Sequence, residues 1–246
     1  MKRPIIILIL TALAGIASAQ DANYWDTQYG TKGGMLGGLV VGTPSDLSST
    51  FYNPGWIALD PEGTFLLTTQ AVEAYRISLD EGLGKDQNIE STTASTSPGY
   101  LAGRFTLDPA RTWEWAYSYL KKVQFNYDAR GADFDPDPVP PPAGGWFSGE
   151  ALRKANSNEY WYGVTAAREM KNRLAIGFSP YIVYRSVDSR IQAAAQVFDD
   201  QGNFAQTYVA DDYKFYHVRA LMKIGLAVDR NDWKAGLTLT TPSLGI

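Results

Sequence analysis

Cysteine is absent from the 246 residues and histidine occurs once, so a disulfide scaffold, a Cys-ligated metal site and a His-based cage or catalytic array lack their raw material. Basic residues are outnumbered, 22 Lys and Arg against 26 Asp and Glu, and a net charge of -4 gives no broad positive field for a phosphate backbone. Nucleic acid is therefore not an expected partner. Beyond the first 20 residues no apolar run approaches the ~18 residues of a membrane-spanning helix, which excludes a polytopic helical membrane protein. What the chain has in quantity is aromatic residues, 15 Tyr, 10 Phe and 7 Trp, together with 23 Gly.

Lys2 and Arg3 precede an apolar run from Ile5 to about Ile16 and then Ala17-Ser18-Ala19. A basic start, a short apolar stretch and an A-x-A site predict a signal peptide over residues 1–19, cleaved after Ala19. The run is too short to span a bilayer comfortably, so export rather than anchoring is expected. The lack of Cys suits an oxidising compartment.

A period of two then dominates. From Trp113 to Tyr127 the odd positions read Trp113, Trp115, Tyr117, Tyr119, Lys121, Val123, Phe125 and Tyr127, and the even ones are largely polar. This predicts one long strand with an aromatic face. Leu101, Gly103, Phe105 and Leu107 form a similar face; so do Leu174, Ile176, Phe178, Ile182 and Tyr184, and so do Tyr216, Val218, Ala220, Met222, Ile224, Leu226 and Val228. Opposite the last series stand His217, Arg219 and Lys223, directed at a watery interior. Shorter alternations start at Tyr160 and Trp233, and a less regular one runs from about Gly63 to Leu79, giving about seven strands. Strands of soluble domains run about 5–6 residues, whereas a tilted transmembrane strand needs about 9–11. The connections alternate as well. Short turns at 108–111, 171–172 and 229–232 separate long polar stretches near 80–97, 129–157 and 198–210, which are read as loops. A soluble β-sandwich shares the alternation but not strands of this length with aromatic outer faces.

Other motifs resolve into structural roles. Gly33-Gly34-Met35-Leu36-Gly37-Gly38 lacks the Lys-Ser/Thr ending and βαβ setting of a phosphate loop, and reads as tightly packed backbone. Ser45 or Asp46 is placed to cap a short helix, and Asn53-Pro54-Gly55 signals a chain reversal. The stretch 20–60 is too apolar for a free tail, so something has to cover it. Asp133-Phe134-Asp135-Pro136-Asp137 opens like a calcium loop, but Pro138 at position 6 and Gly144 at position 12 exclude an EF-hand. The run from Pro138 to Pro142 stiffens what is read as an outer loop. His217 has no G-x-S-x-G serine to serve, so no enzyme is expected. Arg104, Arg185, His217, Arg219 and Lys223 are read as interior polar residues. Salt bridges to residues such as Glu114 are their expected role, with the holding of a carboxylate as the alternative.

The segment YWDTQYGTKGGMLGGLVVGTPSDLSSTFYNPGWIAL combines a Gly-rich run with a D-x-S-x-x-x-x-N-P-[AG] element made by Asp46, Ser48, Asn53, Pro54 and Gly55. Followed by long strands, it resembles the long-chain fatty acid transporter (FadL/TodX-like) family of outer-membrane proteins. The resemblance is specific over about residues 24–59 and architectural beyond. It implies that residues 20–60 form a plug, or hatch, containing Asn53 and Pro54; Gly55 stands where the family usually has Ala. It also implies passive uptake of hydrophobic small molecules, fatty acids or aromatic hydrocarbons, without a cofactor. A secretion-accessory branch of the superfamily shares these features, which leaves a protein-docking role as the alternative.

The resulting expectation is an all-β protein of the bacterial outer membrane, in contact with its lipid. It is an antiparallel transmembrane β-barrel over residues 61–246 with an N-terminal plug over 20–60. Seven strands cannot close with both ends on one side, and eight leave no room for a plug, so the barrel is expected to be truncated after about seven strands.

Overall fold

The computed structural model describes residues 28–43, 46–60, 63–84, 87–107, 109–110, 112–135, 145–199, 201, 203–230 and 232–246. The expected signal peptide, Ser45 and the run from Pro138 to Pro142 lie outside the described residues. An N-terminal segment carries three short helices, α1 (Thr31–Met35), α2 (Ser49–Tyr52) and α3 (Trp56–Leu59). The strands are β1 (Phe65–Gly84), β2 (Gln87–Phe105), β3 (Glu114–Asp135), β4 (Gly145–Glu169), β5 (Leu174–Asp199), β6 (Phe204–Asp229), β7 (Lys234–Thr240) and β8 (Leu244–Gly245). Strands β1 to β7 pair in sequence order, all antiparallel, and β8 adds to β6 beyond the end of β7. The sheet is open: among the described residues β1 and β7 are its edges and do not pair with each other.

The period of two sorts the sheet into two faces. One face carries Leu101, Gly103 and Phe105, then Trp115, Tyr117 and Tyr119, then Tyr162, Val164 and Ala166, in matching register across β2, β3 and β4. It continues with Ile176, Phe178, Pro180 and Ile182 on β5, facing Leu226, Ile224, Met222 and Ala220 on β6. The other face is covered by the N-terminal segment. Tyr29, Val40, Leu47, Trp56 and Ile57 are all essentially inaccessible there, packed among Tyr100, Leu120, Trp161 and Tyr181 or against Ala175 and Ala227. At about 1.5–3 kcal/mol per buried side chain, these five residues contribute on the order of 10 kcal/mol before entropy, so the segment belongs to the folded body. The main-chain carbonyl of Thr50 accepts from Ser179 Oγ and from Tyr181 OH on β5, both at 2.9 Å, while its hydroxyl bonds Tyr100 OH on β2. Three strand steps separate β2 from β5, about 14 Å on a flat sheet. One residue reaches both, so the sheet curves over the segment.

Two expectations are corrected. The aromatic face read from Trp113 to Tyr127 does not persist, because a β-bulge between Lys121 and Val123 inserts one unpaired residue. Below the bulge Trp115, Tyr117 and Tyr119 share the uncovered face; above it Val123, Phe125 and Tyr127 swing to the covered face, opposite Glu159, Ser157 and Ala155. The long stretches read as loops are mostly strand. The β5–β6 ladder continues to Phe198↔Phe204 and the β3–β4 ladder to Asp135↔Phe147, while β1 and β2 pair as far as Gly84↔Gln87. Ladders with water on both faces need no apolar alternation, so polar sequence there imitated loops. Asp133 and Asp135 accordingly end β3, and no group of acidic or His residues fit to hold a metal occurs among the described residues.

Candidate functional site

The turn Asn53-Pro54-Gly55 sits on a track of small residues. Gly177 and Gly225 are register partners on β5 and β6, and Gly236 of β7 pairs with Ala227. A Cβ at Gly177 would lie 2.3 Å from the Pro54 carbonyl carbon, one at Gly225 2.2 Å from Asn53 Oδ1, and one at Gly236 1.9 Å from the Val41 oxygen. Only glycine admits main chain this close. Asn53, fully buried, donates from Nδ2 to the carbonyls of Val41 and Leu226, both at 2.9 Å, and accepts from Gly55 N at 3.1 Å. Its amide thereby ties the turn both to the loop after α1 and to a strand of the sheet. At Gly55, a Cβ would meet Ala227 N at 3.1 Å and Ala175 O at 3.2 Å, so an Ala there requires only slight movement.

Asp46 holds the other half of the motif. Its carboxylate accepts from Thr31 N at 2.8 Å, in the first turn of α1, and from Ser48 N at 2.9 Å, ahead of α2. The expected capping residue thus joins two turns rather than closing one. Ser48 is buried beside it, and Gly30 approaches both with φ +74°, a conformation and a space that suit glycine alone. The Tyr52 phenol accepts from Tyr29 N at 2.9 Å and donates to Gln28 Oε1 at 3.0 Å; burial, reinforced by the charge of Asp46, raises its pKa above the ordinary tyrosine value.

The five polar residues singled out from the sequence divide into two groups. Arg104 donates to the carbonyls of Ile57, Asp60 and Gly63 at 3.0, 2.5 and 3.1 Å and pairs with Glu114 at 3.4 Å. It clamps the exit from α3 into β1, with its guanidinium committed to that task. Arg185, His217, Arg219 and Lys223 instead lie together farther along the covered face. Glu159, Arg185 and His217 form one register row across β4, β5 and β6. Arg219 pairs with Glu159 at 2.6 Å, and Trp161 Nε1 donates to the same carboxylate at 2.7 Å. The Nε atoms of Arg185 and Arg219 are buried without a hydrogen-bond partner.

Sequence reasoning missed the centre of this basin. Phe51 of α2 projects into it with Lys223 Nζ 4.2 Å and Lys122 Nζ 5.4 Å from its ring centroid, cation–π contacts that place two ammonium groups about one ring. Lys122 is the residue at the bulge, so the irregularity that interrupts β3 also delivers a cation to the covered face. Among the described contacts, Glu159, paired with Arg219, is the carboxylate that meets these cations. Beyond this basin the covered face turns apolar again. Phe125 and Tyr127 on β3, stacked with centroids 6.5 Å apart, face Tyr213 and Phe215 on β6, stacked at 6.4 Å. Between them β4 and β5 contribute Ser157, Ala155, Val187 and Ser189, so aromatic walls flank a trough with a small-residue floor.

On the opposite face the polarity changes at the same level. Tyr119 stacks on Tyr160 and Tyr184 on Tyr216, making a tyrosine row across β3 to β6. Farther out on this face Asp188 and Lys214 are register partners, and Asp128, Lys154, Arg190 and Asp212 stand together in the row beyond them. The pairs Arg190–Asp212 at 2.8 Å and Lys154–Asp128 at 3.9 Å are half-exposed. In comparison with models of protein families, with curated proteins and with solved structures, the chain matches none.

Proposed function

We propose that this chain forms wall and plug of an outer-membrane β-barrel that takes up hydrophobic small molecules, long-chain fatty acids or aromatic hydrocarbons, without an enzymatic step. The observation that carries the reading is the exchange of polarity along the strands. On β5 the uncovered face is apolar from Leu174 to Tyr184 and charged at Asp188 and Arg190, while the covered face is positive at Arg185 and largely apolar beyond it. A bilayer core takes about 9–11 residues of tilted strand, which matches the apolar band, and the tyrosine row sits where an aromatic girdle belongs. Open edges cannot be left in hydrocarbon, so in this reading β1 and β7 each pair with a further strand in the membrane.

Apolar cargo then enters between the projecting hairpins, is held against Phe125, Tyr127, Tyr213 and Phe215, and presents any anionic head to Lys122, Arg185, Arg219 and Lys223. The buried, unpartnered Nε atoms of the two arginines suit such a head. Release past the N-terminal segment does not involve its departure, which burial opposes by on the order of 10 kcal/mol. Movement is confined to the lobe around α1, where Met35 and Leu39 are more than four-fifths exposed. The test is uptake of a labelled long-chain fatty acid or aromatic hydrocarbon by cells lacking the gene and by the complemented strain. Loss and restoration of uptake support the reading. Unchanged uptake, or co-purification with a stoichiometric protein and no lipid, overturns it in favour of a docking role.

A further inference from the structure

The uncovered face carries a depression of about 500 Å³, lined by Tyr119, Tyr162, Val164, Pro180, Ile182 and Ala220 among others. Its origin lies in the backbone. Pro180 has no N–H, and the β4–β5 ladder, intact at Gly163↔Tyr181 and at Ala166↔Phe178, has no pairs at Val164 and Thr165. Behind the gap Thr165 donates to Ser179 Oγ at 2.7 Å, and Ser179 in turn donates to the Thr50 carbonyl. The two strands are thus tied together from the covered side while they part on the other. Ala220 opposite Ile182 leaves the hollow unfilled on its β6 side.

We infer that this hollow holds one acyl chain of an ester-linked membrane lipid, a site that rests on the membrane placement proposed above. The depression lies inside the apolar band, and its upper rim is formed by Tyr119 and Tyr162, with ring centroids 5.3 Å apart, one same-face step below the Tyr160–Tyr184 pair of the tyrosine row. Phenol hydroxyls at that height meet the ester carbonyls of a lipid whose chain extends down the hollow. The hollow is open outward, and its almost wholly apolar lining offers dispersion contacts on more than one side where a flat wall offers one.

The experiment compares the wild-type protein with Ala220→Phe, which fills the hollow with an apolar ring, and Leu226→Phe, which adds the same ring to the same face of β6 away from it. Each is extracted from alkali-washed membranes in a mild non-ionic detergent, passed through size exclusion, and its retained phospholipid counted by mass spectrometry. The expected result is retention of about one lipid per chain in the wild type and Leu226→Phe, falling about tenfold in Ala220→Phe. Equal retention in all three proteins, or none in any, overturns the site while leaving the membrane placement intact. Loss of all three proteins from washed membranes overturns the placement itself, and the lipid site with it.

Discussion

Replacing Asn53 with alanine removes two hydrogen bonds donated to the carbonyls of Val41 and Leu226 and one accepted from Gly55 N. Val41 O keeps a second donor, Trp56 Nε1 at 3.0 Å, and Leu226 stays in the ladders to β5 and β7, but Gly55 N loses the partner described here at a fully buried turn. A net hydrogen bond contributes about 0.5–1.5 kcal/mol, and a stranded buried polar group costs about 1–3 kcal/mol, so Asn53→Ala should weaken local closure by about 3–5 kcal/mol. That corresponds to amide exchange about 10²- to 5 × 10³-fold faster where closure governs exchange. Hydrogen exchange followed by mass spectrometry on peptides covering residues 46–60 reads this directly, with peptides from the β5–β6 hairpin above residue 186 as the internal control. Asn53→Asp keeps the acceptor for Gly55 N and turns both donations into repulsions, so it should be at least as damaging. Exchange in 46–60 within a factor of three of wild type would refute the assignment of Asn53 as the tie between turn and sheet.

Gly236→Ala drives a methyl into the Val41 carbonyl and should destabilise the protein by about 1–3 kcal/mol in urea unfolding, whereas Gly34→Ala, where nothing lies within 4 Å, should stay within about 0.5 kcal/mol of wild type. Asp46→Ala removes the acceptor for Thr31 N and Ser48 N and should cost about 1–2 kcal/mol, seen as faster exchange in both α1 and α2 rather than in one of them. Because burial raises the Tyr52 pKa in the folded protein above its unfolded value of 10.0, the associated stability is complete below pH ~10 and is lost as pH rises through the folded pKa. Alkaline unfolding should therefore set in at higher pH in Tyr52→Phe than in wild type, measured by tryptophan emission. Deleting Lys122 removes the unpaired residue while Val123 still follows Lys121 opposite Glu159, so Val123, Phe125 and Tyr127 should keep the covered face and this variant should assemble as well as Lys122→Gln, judged by recovery from washed membranes.

The two-faced strands were legible because half-burial leaves a period of two in the side chains. Every outward residue expected on β6 from Val218 to Val228 lies on the uncovered face. The bulge was not legible, since Lys121 and Lys122 are adjacent like residues and either satisfies an alternation that changes phase between them. Lys121 at an odd, supposedly aromatic position was the one visible trace. The small-residue track was hidden for a different reason: Gly177, Gly225 and Gly236 are far apart in sequence, and only the register gathers them under Asn53 and Pro54. Asp46, Ser48 and Asn53 stood out by spacing, yet their roles depend on Thr31, Val41 and Leu226, which no local pattern singles out. The cationic residues were legible as a set but not as two groups, because what separates Arg104 from Arg185 and Arg219 is its four hydrogen-bonding partners around the end of α3.

Because the chain has no cysteine, single introduced cysteines can report whether the uncovered face lies in lipid. Single cysteines at Val164, Ile182 and Leu237 in the apolar band, at Lys154, Arg190 and Asp212 in the charged rows, and at Val183 on the covered face can each carry a spin label in lipid vesicles. Labels in the band should relax with oxygen and be shielded from a water-soluble nickel complex. Labels in the charged rows should show the reverse, and the label at residue 183 should be shielded from both. Band labels as accessible to the nickel complex as those at residues 190 and 212 would contradict the placement of this face in lipid.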